Sequence, residues 1–257
     1  MRNLLWVVLA IVLWAPSARA QFVAPGGMVP VVANNYGVNN IPWRSDVSVL
    51  NINATDAAFV LVLYPEIRNG ESEFEPQVSD TIQVPPNGQV TLSNVLQSRF
   101  GMTDTKGALS VLSLDGSPLV VSSRVYTFTE SGASYGQDVR GVLVANRAWA
   151  GGLRHDSLYR TNVGVFLPIE PSGTAAFTVD TFDKDGDEVG SGALYFDQAG
   201  LQQKSLSAFG VDNLVDGYVV ITCSDPSLFW YAYASRVDQI SGDGVYRAAV
   251  GLESDLQ

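Results

Sequence analysis

The chain has 257 residues, 26 of them Asp or Glu against 15 Lys or Arg, for a formal net charge of −11, and 46% of it is hydrophobic. An acid excess of that size argues against nucleic acid or anionic membrane as a partner, because both are held through Lys and Arg. A single cysteine excludes an intrachain disulfide, so stability has to come from burying apolar surface.

Arg2 precedes an apolar run from Leu4 to Trp14, and Ser17, Ala18 and Ala20 put small residues where a signal peptidase reads. Together these predict a cleaved signal peptide over 1–20. The run is shorter than the ~20 apolar residues of a spanning helix, and none comparable follows. The mature chain is therefore expected to have no membrane span and to be secreted, to a periplasm, a cell surface or the exterior. Loss of Arg2 and Arg19 with the leader takes the formal charge from −11 to −13.

Beyond the leader, apolar residues alternate with polar ones. Val47, Val49 and Ile52 stand against Asp46, Ser48 and Asn51, and Phe177 and Val179 against Thr178 and Asp180. A period of two predicts half-buried strands. Asn69-Gly70, Asn87-Gly88, Asp115-Gly116 and Asp185-Gly186 separate them, each suited to the positive φ of a tight turn. Only Ser93 to Phe100 and Ser205 to Phe209 read as helical turns, with Ser93 and Ser205 as caps. Cys223 ends the apolar stretch Val219 to Thr222 and is expected to be a buried, inert thiol.

Four short matches recur in the same order. Val32-Ala33-Asn34 returns as Val144-Ala145-Asn146, and Trp43-Arg44-Ser45-Asp46-Val47 as Tyr159-Arg160-Thr161-Asn162-Val163. Gly107 to Val111 returns as Gly217 to Ile221, and Ser123-Arg124-Val125 as Ser235-Arg236-Val237, all at offsets of 110 to 116 residues. The expectation is all-β: two tandem immunoglobulin-like antiparallel β-sandwich domains after a cleaved signal peptide, domain 1 over 28–141 and domain 2, its diverged repeat, over 142–251. The junction near Arg140 to Val144 has no Pro-, Ser- or Gly-rich tract, so end-to-end packing with restricted motion is expected.

These stretches also carry a resemblance. Leu153-Arg154-His155-Asp156 through Val165, with Tyr231 to Asp238 and Ser241-Gly242-Asp243, resembles tandem β-sandwich repeat cassettes of secreted bacterial proteins of uncharacterised function. Trp43 to Val47, Ser123 to Tyr126 and Tyr135-Gly136-Gln137 look like the companion cassette. The resemblance covers nearly all of the mature chain. It implies a fold and a compartment, and carries no catalytic residue.

Several side chains invite a functional reading. Asp183, Asp185 and Asp187 alternate as calcium ligands do, although Leu194 stands where an EF-hand loop needs its last acid; a plain hairpin on Asp185-Gly186 is the stronger expectation. His155 is the only histidine and is expected in an exposed loop, without a nucleophile-elbow pattern around it. Arg44 and Arg160, and Arg124 and Arg236, recur between the copies. Either they hold a carboxylate or sugar hydroxyls through the guanidinium fork, or they are structural, pinned to a carboxylate or a strand-end carbonyl; recurrence with the fold favours structure.

Trp43, Trp149 and Trp230 are candidate sugar-stacking rings. Phe229, Tyr231 and Tyr233 must face the side opposite to Trp230, and one of those faces must be core. The leading expectation is a non-enzymatic structural or adhesive protein with a protein, cell-envelope or glycan partner and no cofactor. A carbohydrate-binding module comes second and a hydrolase with an unrecognised carboxylate pair third.

Overall fold

The computed structural model describes residues 26–37, 40–67, 75–128 and 131–252. The signal peptide expected over 1–20 and the Asn69-Gly70 turn lie outside the described residues. The described chain is nearly all antiparallel β-structure, as the period-two pattern predicted. Among the described residues no helix is long and apolar enough to cross a membrane.

The N-terminal half runs through β1 (Gly26–Tyr36), β2 (Pro42–Asn51), β3 (Ala57–Pro65), β4 (Gln77–Val78), β5 (Ile82–Val84) and β6 (Gln89–Leu92). A short helix α1 (Val95–Phe100) follows, then β7 (Thr105–Ser113), β8 (Leu119–Phe128) and β9 (Ser134–Asp138). β3 pairs with β4, β5 and β7, and β7 with β1; across the core, β2 lies between β6 and β8, and β9 edges β8. β1 joins the two layers by a hairpin into β2, with Asn35 opposite Trp43.

The C-terminal half runs through β10 (Leu143–Ala145), β11 (Arg147–His155), β12 (Tyr159–Leu167), β13 (Ala175–Asp183), β14 (Glu188–Phe196) and β15 (Gly200–Ser205). A 3-10 turn (Leu206–Phe209) leads into β16 (Leu214–Cys223), β17 (Phe229–Asp238), β18 (Gly244–Ala248) and β19 (Val250–Gly251). Its pairings repeat the first set in order. β11 lies on β16, β16 on β13 and β13 on β14, while β12 lies between β15 and β17, with β18 on β17.

Alternation places the cores. Ala57, Phe59, Leu61 and Leu63 of β3 point inward, as do Ala175, Phe177 and Val179 of β13; each large apolar side chain so buried contributes about 1.5–3 kcal/mol. Asn87, Gly116 and Gly186 take positive φ at the turns expected of them.

Two local readings need correction. The strict alternation of β2 continues through Asn51, which is fully buried, and Ile52 is the exposed residue. The Asn51 amide is affordable there because it donates to the carbonyls of Thr55, Val84 and Pro85 while its Oδ1 accepts from Asn53. Asn94, not Ser93, is the N-cap of α1. It sits in the left-handed region at φ 41° and makes no side-chain cap bond; nor does Ser205, at the cap of the 3-10 turn.

The halves do not meet end to end. Strand ends of the N-terminal half sit on the face of the β15–β12–β17 sheet. Phe166, Leu201 and Tyr233 belong to the N-terminal core although they come from the C-terminal half. Tyr64 packs on Phe166 at 5.1 Å between ring centroids, and Phe166 stacks on Tyr231 at 5.8 Å. Hydrogen bonds cross the boundary as well: Glu66 bridges Leu201 in parallel, Ile67 N donates to Leu201 O at 2.7 Å, and the Tyr246 hydroxyl donates to Arg140 O at 2.8 Å.

This docking buries both faces of β17. Trp230, Ala232 and Ala234 fill the C-terminal core while Tyr231 and Tyr233 face the N-terminal half. Gly164, opposite Tyr233, leaves room for the ring, since a Cβ there would lie 2.3 Å from Tyr233 Cζ.

Candidate functional site

A half-open recess of about 360 Å³ lies between the halves. From the N-terminal half, Asn35, Trp43, Lys106, Val125 and Gln137 line it; β12, β15 and β17 add Arg160, Asn162, Gln203, Tyr233, Ser235 and Val237. Strand geometry places the second set. Arg160, Asn162, Gly164 and Phe166 alternate along one face of β12, and the register sets them opposite Val237, Ser235, Tyr233 and Tyr231.

The polar groups of the recess are unequally satisfied. Lys106 pairs with Glu66 at 2.6 Å. The Tyr233 hydroxyl donates to Gln203 Oε1 at 2.7 Å, and Gln137 Nε2 donates to Ser235 Oγ at 3.3 Å. Burial holds the Tyr233 phenol well above its ordinary pKa, and the Tyr231 phenol is pushed up to about 12 for the same reason. Among the described residues Arg160 Nε and Gln137 Oε1 are buried with no hydrogen-bond partner. Burial lowers the Arg160 pKa.

The paired arginines part company. Arg44 is exposed, its guanidinium carbon 5.6 Å from the Phe128 ring centroid, whereas its match Arg160 turns into the recess. Arg124 lies 5.1 Å from the Tyr126 ring and donates to Ser134 Oγ; Arg236 lies 5.5 Å from the Tyr159 ring and reaches Gly152 O at 3.4 Å. Among the described residues none of the four forms an ion pair; cation–π contact is what three of them share, with a ring on the neighbouring strand for Arg44 and Arg236 and on its own strand for Arg124.

The Arg124 and Arg236 positions are also not equivalent in space. Arg44 pairs with Tyr126 and Arg160 with Val237, one residue short of the Asp238 that the sequence match requires. A one-residue slip reverses the faces: Arg124 lies on the outer face of β8, while Ser235 and Val237 take the recess side of β17 and leave Arg236 on the other.

The tryptophans do not form a platform. Trp43 is half-buried at the recess, and Trp149 is half-buried on β11, opposite Val220 and Val250 in the other sheet. Trp230 is fully buried, edge-on to Phe177 at 5.1 Å, because its side of β17 is the core side; it presents no ring face to a ligand.

Asp183, Asp185 and Asp187 form a hairpin turn. Asp183 Oδ1 accepts from the Asp185 and Asp187 amides at 2.9 and 3.0 Å, and Asp185 pairs with Lys184. Among the described residues no three His, Cys, Asp or Glu side chains converge as metal ligands.

Other carboxylates do the same work. Asp156 accepts from Arg154 and from the Leu158 and Tyr159 amides, and Asp238 from the Ile240 and Ser241 amides, so both titrate below the usual carboxylate range. His155 is not in an exposed loop. It ends β11, half-buried, with Nδ1 accepting from Thr161 N at 3.1 Å; burial first and Arg160 second hold its pKa down. Cys223 is buried, and burial raises its thiol pKa.

Sequence reasoning reached Trp43 and Arg160 but missed Lys106, Gln137, Gln203 and Tyr233. The available signal was the polar residues on one face of β12 (Arg160, Asn162) of a strand whose other face is apolar.

No family profile matches the sequence, and no curated protein matches it. Among solved structures, a human norovirus GI.7 Houston strain virus-like particle aligns at 12% identity and a TM-score of 0.16, over 91% of this chain and 78% of that one. A likeness that weak carries no argument about fold or function.

Proposed function

We propose that the chain is an exported, non-enzymatic interaction protein, two tandem immunoglobulin-like domains (28–141 and 142–251) docked as one body that presents loops and sheet edges to a protein or cell-envelope partner. The observation that carries this reading is how the chemically capable side chains are used. Asp156, Asp183 and Asp238 are spent on turn amides, His155 on Thr161 N, and Cys223 is buried. A glycosidase pair needs two free carboxyls facing across a cleft at ~5–10 Å, and among the described residues no acid lines the recess. The repeated pairing order supports the tandem arrangement, and the leader-like residues 1–20 support export.

The test is surface plasmon resonance of the immobilised chain against envelope protein and envelope polysaccharide, each with and without protease treatment. Saturable binding to the protein fraction that protease removes is the expected result; turnover on a hydrolase substrate panel would overturn the reading. A carbohydrate-binding function keeps one observation in its favour, the half-buried Trp43 ring at the recess. Protease-resistant binding to polysaccharide, lost on Trp43→Ala, would establish it instead.

A further inference from the structure

We propose that the recess between the halves is a receptor for a small organic carboxylate, gripped by the Arg160 guanidinium and oriented by the amides of Gln137 and Gln203. The proposal goes beyond the interaction role above and stands on separate residues.

Charge is the first argument. The protein carries 26 acidic residues, yet among the described residues none lines this recess, while two cations do. Lys106 already has Glu66. Arg160 has no counter-ion among the described residues and donates no side-chain hydrogen bond to any of them; its Nε is shut off from solvent. Arg160 is only half-buried, but its enclosed Nε is a donor left unsatisfied at a cost to the fold, and an anion in the recess removes that cost. Guanidinium matches a carboxylate with parallel donors.

The second argument is the repeat. At the position matching Asn162 the N-terminal half has Asp46, whose carboxylate accepts from Asn94 N and the Tyr126 hydroxyl. On the matching strand β12, which faces the recess, that place is taken by the neutral Asn162 amide, so the position brings no negative charge to the recess.

The third is the remaining inventory. Gln137 Oε1 is a buried acceptor without a donor, which asks the ligand for a hydroxyl or amine besides its carboxylate. Gln203 Oε1 is occupied by Tyr233, so its amide N–H groups are the part left to offer. Val125, Val237 and the Trp43 ring supply apolar wall. At about 360 Å³ the recess is at the lower end of the ~300–1,000 Å³ of small-ligand sites, a fit for one ring or a short chain.

The experiment uses the whole chain and carboxylates paired with neutral counterparts: D-glucuronate with D-glucose, succinate with succinamide, and N-acetylglycine with N-acetylglycinamide. Binding is read by calorimetry and tryptophan fluorescence, and Tm is measured in parallel. At least one carboxylate should bind saturably and about tenfold or more tighter than its counterpart, as loss of a charged partner predicts. Arg160→Gln should abolish that preference while leaving the ligand-free Tm unchanged or higher, because a residue retained for binding costs stability.

Gln137→Glu, which places a carboxylate in the recess, should also raise Tm and block the ligand, and it decides the matter if Arg160→Gln does not fold. Three results overturn the proposal: no carboxylate preferred over its counterpart, a preference that survives both substitutions, or a ligand-free Tm lowered by both. None of them bears on envelope binding, so this proposal and the interaction reading fail separately.

Discussion

The β2–β8 and β12–β17 pairs are built alike and used differently. In the N-terminal half the outer face of the pair carries Arg44, Ser48, Ser122 and Arg124, open to solvent or lying on aromatic rings. In the C-terminal half the same face carries Gly164, Phe166, Tyr231 and Tyr233 and is covered by the other half. One pairing scheme can therefore serve both halves while the outer face, which makes no contribution to its own core, is open in one and an interface in the other. The recess lies where that difference leaves polar residues at a covered boundary.

The largest expected effect tests which face of β17 is core. Trp230→Ala should lower unfolding free energy by about 3–5 kcal/mol, the cost of emptying a buried aromatic site, while Trp149→Ala, on the outer side of its sheet, costs clearly less; urea denaturation reads both. Equal effects would mean that the core side has been misassigned.

Gly164→Ala comes next. Its new methyl would meet the enclosed Tyr233 ring, costing about 1–3 kcal/mol as overpacking does, whereas Ser48→Ala at the matching place should be neutral within about 0.5 kcal/mol.

An alkaline titration sharpens the contrast without mutation. Burial raises the phenols of Tyr231, Tyr233 and Tyr246 in the C-terminal half and that of Tyr126 in the N-terminal half. In the unfolded chain these phenols ionise near ~10. Their stabilising contribution is therefore complete below that pH and is lost as pH rises, between about 10 and about 12 for Tyr231. Phenolate absorbance should show these buried phenols ionising only as the packing around them opens.

The smallest effect belongs to the surface arginines. Arg44→Ala and Arg124→Ala should each cost about 0.5–1 kcal/mol, the range of an exposed cation–π contact, by the same denaturation assay.

The fold was legible in the sequence because alternation and Asn-Gly or Asp-Gly turns are local signals, and both survive in the structure. Misreadings arose where a polar residue occupies an apolar slot. Asn51 reads as solvent-facing until its carbonyl partners at Val84 and Pro85 are known, and those lie more than thirty positions away. Matching Ser123-Arg124-Val125 to Ser235-Arg236-Val237 is sound as a string and wrong by one residue as a register, because strand register is fixed by pairing with a distant strand and not by the string itself. The recess was legible only in part: Arg160 and Trp43 drew notice as members of a repeat, but a cavity made by docking has no motif in either half.

The clamp at the junction has a mechanical consequence. Val139 N is bonded to Ser123 O, and the next carbonyl, that of Arg140, is held by Tyr246. Tension passing from one half to the other is thus shared by the Tyr246 and Leu201 contacts and is not borne by the connecting backbone alone.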